Sequence, residues 1–367
     1  MRVVIAGGGT AGHVFPAVAL ADRLVADHGA EVEFIGSSSG QEASLVPAAG
    51  FAFHGVAATP LRRELSLASA RAPIVALGSV RACGPLVRGA HVVVGMGGYA
   101  SVPAVLAARR SGVPVVLHEQ NAVPGLANRL LGRVAASVGL SFADAAARFP
   151  AGVVVALTGN PVRAQVRTVP SSRDALAATA WDTLDLDPGR STIVVFGGSQ
   201  GALHLDQAIA GALARLGDRD DLQLLVLTGR EKLEVVARAA DRPMALRVRA
   251  LPYLDRMELA YAVADLAVAR AGATSIAELS LCGIPSILIP YPHATDDHQT
   301  ANARELVRAG AAVLCPDAEL SPNGLATDIA TLMDDPARRT TMGECASAWS
   351  TPDADVRLAA LVREAAS

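Results

Sequence analysis

The chain has 367 residues, of which 51% are hydrophobic and 18% are charged, and its formal net charge at pH 7 is −3. This composition supplies enough apolar side chains for two domains and excludes a disordered chain or a disulfide scaffold. The small net charge and the 4% of aromatic residues also argue against a basic, base-stacking surface, so no nucleic acid is expected as a partner.

Gly, Pro and Arg interrupt every apolar run before it reaches the roughly 18 residues of a membrane-spanning helix. The apolar run at residues 3–6 stops at Gly7 and is too short for a signal peptide. The cysteines are widely spaced and are expected to be free thiols.

Short apolar, β-branched runs alternate with Ala- and Leu-rich segments over the first 160 residues. The runs are continuously apolar, as in strands buried on both faces of a parallel sheet. Strands are predicted at 2–6, 32–35, 92–94, 113–117 and 153–157, and helices at 14–25, 102–110 and 126–131.

A second series of the same kind follows. Its strands are predicted at 192–196, 222–227, 266–269, 286–289 and 311–314, and its helices at 203–215, 231–240, 275–281 and 299–308. This alternation is typical of doubly wound α/β domains with parallel sheets.

Each series opens with a strand, a glycine-rich turn and a helix. We call residues 7–12 (GGGTAG) the first glycine turn and residues 197–201 (GGSQG) the second glycine turn. Their repetition predicts two Rossmann-like domains that face each other across a cleft.

The turn signal at residues 159–161 predicts the boundary between the domains. It gives an N-terminal domain of residues 1–161 and a C-terminal domain of residues 162–350. The polar stretch 168–190 is interpreted as an excursion before the second sheet. The tail, residues 351–367, is predicted to be a helix that can pack back on the N-terminal domain.

The first glycine turn satisfies the GxGxxG pattern of dinucleotide sites. Such a site needs an acidic residue at the end of the second strand to bind the ribose, but that strand ends at Gly36-Ser37. The nicotinamide interpretation is therefore disfavoured. A phosphate site at a helix start and a tight turn without a ligand both stay open. His13, next in the chain, is either a general base or a capping or packing residue.

Polar side chains follow three further predicted strands, at the sheet edge where open α/β folds bind ligands. His118-Glu119-Gln120-Asn121 is interpreted as functional, with a capped helix start as the alternative. Glu278, in RAGATSIAEL (270–279), can accept both hydroxyls of a ribose or can only support its helix. The polar loop 290–299 suits a ligand with many hydroxyls.

No metal site is predicted. The Asp pairs 185/187 and 353/355 match a DxD pattern, but neither follows a buried strand, so they are interpreted as solvated surface carboxylates. Residues 61–91 contain five arginines against one acid. This segment either docks on an anionic membrane surface or is an ordinary amphipathic helix packed on the sheet.

Taken together, the motifs resemble the MurG family of bacterial transferases, glycosyltransferase family 28, which adds N-acetylglucosamine to lipid I in peptidoglycan synthesis. The matching segments are GGGTAGHVFPA (7–17), GMGGYASVPA (95–104), HEQNAVPGLANR (118–129), GNPVR (159–163), FGGSQGA (196–202), RAGATSIAEL (270–279) and DDHQTANA (296–303). They run in the order of the family from residue 7 to residue 303.

The resemblance implies an α/β, GT-B architecture with UDP-N-acetylglucosamine in the C-terminal half and the lipid acceptor in the N-terminal half. The residues that it implies for the sugar nucleotide are Thr10, Ala11, Gly12, Asn121, Arg163, Ser199, Gln200, Leu254, Ala273, Thr274, Ser275, Ile276, Ala277, Glu278, His298 and Gln299. Those that it implies on the acceptor side are His13, Tyr99, His118 and Glu119.

Two positions depart from the pattern of the family. Ala11 stands where glycine is frequent, which narrows the first glycine turn. His298 stands where some members have a glutamine, so the sugar-contacting role is carried over to Gln299 first.

The implied reaction is an inverting transfer of N-acetylglucosamine to the C4 hydroxyl of the muramoyl sugar, which forms lipid II. The base would be His13, with Glu119 or His118 behind it, and no cofactor or metal is implied. The implied location is peripheral, at the cytoplasmic face of the cell membrane, with residues 61–91 on the inner leaflet and other cell-wall or division proteins as further partners. The alternatives are another GT-B enzyme, such as a natural-product glycosyltransferase or a UDP-GlcNAc 2-epimerase, and a non-catalytic UDP-sugar-binding protein.

Overall fold

The computed structural model describes residues 1–57, 67–198, 201–229 and 232–367, and it describes no side chains for 67–76. The chain divides into two compact units. The N-terminal unit contains Met1–Arg163 together with Asp353–Ser367, and the C-terminal unit contains Ala164–Pro352.

The N-terminal unit is an α/β domain around one parallel sheet. Its strands are β1 (Arg2–Ala6), β2 (Glu31–Ser37), β3 (Ala52–Val56), β4 (Val92–Gly95), β5 (Val115–Glu119), β6 (Ser137–Leu140) and β7 (Val155–Leu157). Its helices up to Arg163 are α1 (Ala11–His28), α2 (Glu42–Ala48), α3 (Leu67–Val87), α4 (Ser101–Arg110) and α5 (Leu126–Leu131), with short 3₁₀ helices at Gly132–Val134 and Ala143–Arg148. The strand order is β3-β2-β1-β4-β5-β6-β7.

The C-terminal unit repeats this architecture. Its strands are β8 (Ser191–Phe196), β9 (Leu222–Leu227), β10 (Arg247–Leu251), β11 (Ala264–Ala269), β12 (Ser286–Leu288) and β13 (Ala312–Leu314), in the parallel order β10-β9-β8-β11-β12-β13. Its helices are α6 (Ala164–Arg167), α7 (Val169–Leu184), α8 (Leu203–Leu216), α9 (Leu233–Ala240), α10 (Met257–Val263), α11 (Ala273–Leu281), α12 (His298–Arg308), α13 (Pro322–Met333) and α14 (Pro336–Trp349), with 3₁₀ helices at Thr295–Asp297 and Asp317–Glu319.

The central strands of each sheet are buried on both faces. The side chains of β1 from Val3 to Ala6 and of β8 from Ile193 to Val195 are fully buried, because helices cover both faces of the sheet. In each unit the strand order reverses beside the first strand, between β1 and β4 and between β8 and β11. Open α/β sheets bind ligands at this switch point, outside the carboxyl ends of the strands. The predicted doubly wound, parallel-sheet fold class is confirmed.

The last helix, α15 (Ala354–Ala366), belongs to the N-terminal unit. Its buried Leu358 and Val362 join the core formed by α1, β1 and β4. Leu358 lies against β6 at Gly139, where a Cβ would approach its Cδ1 to 2.9 Å.

Two sequence interpretations are wrong. The stretch 168–190 contains helix α7, whose buried Ala177, Ala180 and Leu184 have helical spacing and whose proline lies in the first turn, where proline is tolerated. Asp355 is not a solvated carboxylate: it is 1% exposed and pairs with Arg23 of α1 at 2.8 Å. Within the described residues, no helix is long and apolar enough to cross a membrane.

Candidate active site

The first glycine turn and the turn after β4 meet at the switch point of the N-terminal unit. A Cβ on Gly98 would lie 2.5 Å from the carbonyl oxygen of Gly8, and one on Gly9 would lie 3.5 Å from the Tyr99 ring. Gly8, Gly9 and Gly98 all have positive φ angles, which favour glycine. The two turns therefore pack backbone to backbone, and they carry His13 and Tyr99 to the same edge of the sheet.

His13 lies in the first turn of α1 and packs over the second of these turns. Its Nδ1 is 3.1 Å from the Thr10 hydroxyl, and its Nε2 lies 3.4 Å from the position that a Cβ on Gly97 would take. Glycine at 97 thus makes room for the imidazole. If Nδ1 carries the proton and donates it to Thr10, Nε2 keeps a lone pair that can accept a proton.

His118 is fully buried at the end of β5. Its Nε2 lies 3.0 Å from the Gly159 carbonyl oxygen, which can only accept, so Nε2 carries the proton. Burial and, to a smaller extent, the nearby His13 lower the pKa of His118 to about 4, although the hydrogen bond to Gly159 opposes the shift. Its Nδ1 has no hydrogen-bond partner among the described residues. His118 is therefore a neutral imidazole that can accept a hydrogen bond.

Glu119 organises the loop that follows β5. Its carboxylate accepts hydrogen bonds from the Asn121 backbone at 3.0 Å, from the Gly125 backbone at 3.2 Å and from Asn128 Nδ2 at 2.9 Å. Burial raises the pKa of Glu119, and these donors oppose the shift. Both oxygens are occupied, which suits a residue that positions the loop better than one that takes a proton from a substrate.

A cavity of about 60 Å³ lies among these groups. It is lined by His13, Met96, Gly97, Gly98, His118, Glu119, Gln120, Asn121, Gly125, Ala127 and Asn128. This space accommodates a sugar hydroxyl or some water molecules. The structure thus brings three of the predicted acceptor-side residues to one polar cavity.

Most of the other predicted residues of the N-terminal unit lie in the first glycine turn or in the turn after β4. Thr10 is exposed, Gly12 and Tyr99 are half-buried, and the backbone N–H of Ala11 donates to Gln41 Oε1 at 2.7 Å. The Arg163 guanidinium lies over the Phe15 ring of α1, 4.3 Å from its centroid.

In the C-terminal unit, the second glycine turn precedes α8. Ser199 and Gln200, predicted to contact the diphosphate, lie outside the described residues. Gly198 has φ of +86°, and within the described parts of the chain no atom lies within 4 Å of where its Cβ would be. The turn is held instead at Gly201, where a Cβ would meet the Thr228 carbonyl oxygen at 2.1 Å.

Two buried ionisable side chains, Asp206 and Arg270, follow the second glycine turn and the central strand β11. Asp206 of α8 is 1% exposed, and burial raises its pKa to about 7 against the attraction of Lys232 and Arg270. Arg270, at the end of β11, is 6% exposed and pairs with Asp317.

Leu254 lies half-buried beyond the carboxyl end of β10. Thr274, Ser275 and Ala277 are partly exposed on α11, whereas Ala273, Ile276 and Glu278 are buried. The Glu278 carboxylate accepts a hydrogen bond from the Tyr261 hydroxyl at 2.7 Å. Ile276 is fully buried, so only its backbone can approach a ligand.

His298 and Gln299 begin α12. Gln299 Oε1 accepts from the Tyr291 backbone N–H at 2.9 Å, and its amide nitrogen has no partner in the described ranges. His298 Nδ1 donates to the Thr295 carbonyl at 2.8 Å, which leaves Nε2 as the acceptor of the neutral ring. In the described part of the chain, no three His, Cys, Asp or Glu side chains are placed to hold a metal ion.

Sequence reasoning missed several residues that shape these sites. Asn128 donates to Glu119 and to the His118 carbonyl oxygen, and it lies within HEQNAVPGLANR, so the motif could have signalled it. Glu42 and Tyr261 come from segments without a local motif, and only the folded structure places them.

Models of known families match both units. Residues 3–140 match the glycosyltransferase family 28 N-terminal domain, and residues 192–358 match the glycosyltransferase family 28 C-terminal domain. With two doubly wound parallel sheets and a glycine turn at each switch point, the chain is a glycosyltransferase of the GT-B class.

Curated relatives and a crystal structure narrow the class. One relative from Halothermothrix orenii is 39% identical over 100% of this chain and 99% of its own length, and one from Clavibacter sepedonicus is 42% identical over 99% and 96%. Both are named UDP-N-acetylglucosamine–N-acetylmuramyl-(pentapeptide) pyrophosphoryl-undecaprenol N-acetylglucosamine transferase. The crystal structure of Acinetobacter baumannii MurG matches with a TM-score of 0.78 and 31% identity over 99% of both chains. The chain belongs to this MurG family, and the alternative GT-B enzymes are not favoured.

Proposed function

We propose that this protein transfers N-acetylglucosamine from UDP-N-acetylglucosamine to the C4 hydroxyl of the muramoyl sugar of lipid I, which yields lipid II and UDP. The observation that carries the proposal is the 39–42% identity, over nearly the whole length, to transferases named for this reaction. The polar cavity beside His13 supports it from the structure.

His13 is the general base of the proposed reaction. The C4 oxygen of the acceptor forms a bond to C1 of the donor sugar as the bond from C1 to the UDP oxygen breaks, with inversion at C1. The hydroxyl proton passes to His13 Nε2, while Nδ1–H is held by Thr10, 3.1 Å away. The bonding pair leaves with UDP.

His118 and Glu119 support this step without taking the proton. With its pKa near 4, His118 is a weak base at neutral pH, and its Nδ1 orients a hydroxyl as an acceptor. Glu119 holds the loop with Asn121 and Asn128 in place.

The C-terminal unit binds the donor. The start of α8 presents backbone N–H groups to the diphosphate, which stabilises the leaving UDP. Ser199 and Gln200 remain proposed diphosphate contacts. Arg163 is a further candidate for this negative charge. Glu278, oriented by Tyr261, accepts the ribose hydroxyls.

Polar groups at the edge of the C-terminal sheet complete the proposed donor site. The backbone of Leu254 meets the uracil. The amide nitrogen of Gln299, with its oxygen held by the backbone of Tyr291, donates to a sugar hydroxyl. Thr10, Ala11, Gly12 and Asn121 remain proposed donor contacts from the N-terminal unit.

The protein acts as a peripheral protein at the cytoplasmic face of the membrane in this proposal. Within 61–91, Leu77 is 42% exposed on α3 and Arg81 is exposed one turn further on. Arg62, Arg63 and Arg71 lie where side chains are not described. Arg81→Glu is expected to weaken sedimentation with phosphatidylglycerol vesicles, whereas Arg238→Glu on the C-terminal unit is not. Equal binding to neutral phosphatidylcholine vesicles would contradict an electrostatic contribution.

The test of the activity is UDP release from UDP-N-acetylglucosamine with and without a lipid I analogue in detergent. Release that depends on the acceptor, with a disaccharide-lipid product, is the expected result. Release without the acceptor would indicate an epimerase or a hydrolase instead.

A further inference from the structure

Glu42 is a buried carboxylate that the proposed reaction does not use. It is the first residue of α2 and is 1% exposed. Its Oε2 accepts the backbone N–H of Gly9 at 2.8 Å, and its Oε1 accepts that of Ser37 at 2.8 Å. Within the described residues no cationic side chain pairs with it, so two backbone amides hold its charge.

Three glycines make the space that this carboxylate fills. A Cβ on Gly8, Gly36 or Gly40 would lie 2.1, 2.6 or 2.2 Å from side-chain atoms of Glu42. These glycines come from three separate segments, namely the first glycine turn, the end of β2 and the turn that follows β2. The site is therefore enclosed from several sides around one anion.

The Glu42 carboxylate contacts the glycine turn that follows the first strand, and in dinucleotide-binding domains this turn contacts the ligand. There the glycines of the turn after the first strand allow a phosphate to approach the N–H groups at the start of the helix. Here the Gly9 N–H points to Glu42, and the neighbouring Gln41 takes the Ala11 N–H at 2.7 Å. The chain supplies its own anion to its own glycine turn.

This turn carries the proposed base. Gly8 and Gly9, with φ of +146° and +94°, lead directly to Thr10 and His13. The Gly8 carbonyl oxygen also lies against Gly98, which is next to Gly97, the glycine over which His13 packs. A change at the Glu42 carboxylate therefore reaches His13 through the backbone of one turn.

We propose that Glu42 is a positioning residue: its carboxylate is a built-in anion that fixes the first glycine turn around His13 and excludes the phosphate groups of either substrate from it. The expected effect of Glu42 on turnover rests on the proposed function. That the Glu42 carboxylate occupies the first glycine turn is independent of the proposed function.

Glu42→Ala leaves an anion-sized space lined by the N–H groups of Gly9 and Ser37. We expect kcat to fall by about 10- to 100-fold, because two buried donors lose their acceptor, and KM for the donor to stay within about threefold. Sodium formate, compared with sodium chloride at the same ionic strength, should raise kcat at least fivefold in a saturable manner. A side chain that serves only for packing does not respond to formate.

Glu33→Ala is the matched control. Glu33 is a partly buried carboxylate on β2, the strand that precedes α2 and Glu42. Unlike Glu42, it pairs with the side chains of Arg2 and His54. Its loss is expected to leave kcat unresponsive to formate.

A binding measurement separates the two proposals. In Glu42→Ala the amide resonances of Gly9 and Ser37 should shift as formate is added, while those of the wild type should not, whether or not the protein is a transferase. Formate-induced shifts without acceptor-dependent turnover in the wild type would support the built-in anion and contradict the proposed function. No shifts and no rescue, or wild-type kcat in the variant, would overturn the role of Glu42.

Glu42→Gln covers the case in which the alanine variant does not fold. It keeps the volume but turns an NH₂ group towards one of the two N–H donors. A reduced kcat with unchanged donor binding is expected, and kcat equal to that of the wild type would again overturn the proposal.

Discussion

The two glycine turns look alike in sequence and differ in what they enclose. Each follows the first strand of its sheet, opens a helix and lies at a switch point. At Gly8 the direction of a Cβ is filled by the Glu42 carboxylate, whereas at Gly198 it is open within the described parts of the chain. The same sequence pattern therefore encloses a carboxylate of the chain itself at the first turn and open space beside Gly198 at the second.

The difference assigns separate tasks to the two turns. The first glycine turn, satisfied internally, is a rigid support for His13. The second glycine turn keeps its space for the donor diphosphate in the proposed reaction. Variants that remove His13 or the Glu42 carboxylate should then change kcat, and variants of the second turn should change KM for the donor.

The largest expected effect is at the first turn. His13→Ala should lower kcat by about 10²–10⁴-fold, the usual contribution of a general base, with KM for the donor nearly unchanged. The measurement is steady-state UDP release with a lipid I analogue. His28→Ala, at the other end of α1, is the control and should turn over normally. Wild-type kcat in His13→Ala would show that the first turn does not carry the base.

The dependence of stability on pH gives a second comparison of the two units. The N-terminal unit buries a histidine, which is cationic when charged, and the C-terminal unit buries an aspartate, which is anionic when charged. His118 has its pKa lowered to about 4, from 6.5 in the unfolded chain. Between these values the unfolded state binds more protons, so this residue makes the native state less stable as pH falls from about 6.5 to 4, by roughly 3 kcal/mol in total. Asp206 has its pKa raised to about 7 from 3.8, and its contribution weakens the native state as pH rises through that range.

Chemical unfolding of His118→Gln and Asp206→Asn from pH 4 to 7.5 measures both contributions. The free energy of unfolding of each variant is compared with that of the wild type at each pH. His118→Gln should be least destabilised at the acid end of the range, and Asp206→Asn should be most stabilised at the neutral end. Parallel curves for a variant and the wild type would mean that the substituted group does not titrate differently in the folded state.

Periodicity predicted the fold class because strands that are buried on both faces are continuously apolar, as in β1 and β8. It missed α7, where only Val169, Ala177, Ala180 and Leu184 are buried, and it missed β10, where no residue is fully buried. Neither segment contains the continuous apolar run by which the other strands were predicted.

Motifs in the sequence singled out His13, next to the first glycine turn, and His118 and Glu119, at the end of an apolar run. The structure brings the three to one cavity, and their roles in the reaction stay predictions. The role of Glu42 could not be predicted, because its partners Gly8 and Gly36 are distant in sequence and meet it only in the fold. The same limit applies to the buried ion pair of Arg23 with Asp355, which are 332 residues apart.

An engineered anion tests whether the second turn is open for a ligand. Gly198→Asp places a carboxylate where the first turn has Glu42, and Gly198→Asn is its uncharged match, since both side chains tolerate positive φ. The aspartate should raise KM for UDP-N-acetylglucosamine at least tenfold over the asparagine variant, because like charges close together cost roughly 1–4 kcal/mol near a protein surface. The ratio should shrink in high salt. Equal KM values in the two variants would place the diphosphate elsewhere.

The smallest expected effect concerns the orientation of the base. Thr10 precedes α1 as its N-cap, but its hydroxyl makes no capping bond and instead lies 3.1 Å from His13 Nδ1. Thr10→Val therefore removes one hydrogen bond and leaves the helix start intact, which should lower kcat about 2- to 10-fold, as expected for a bond worth about 0.5–1.5 kcal/mol. Thr179→Val, at an exposed threonine that bonds only to its own helix in α7, should leave kcat unchanged. If Thr10→Val and Thr179→Val have the same kcat, the proton on Nδ1 of His13 is not held by Thr10. The rigid first turn would then have to orient the imidazole through packing on Gly97 alone.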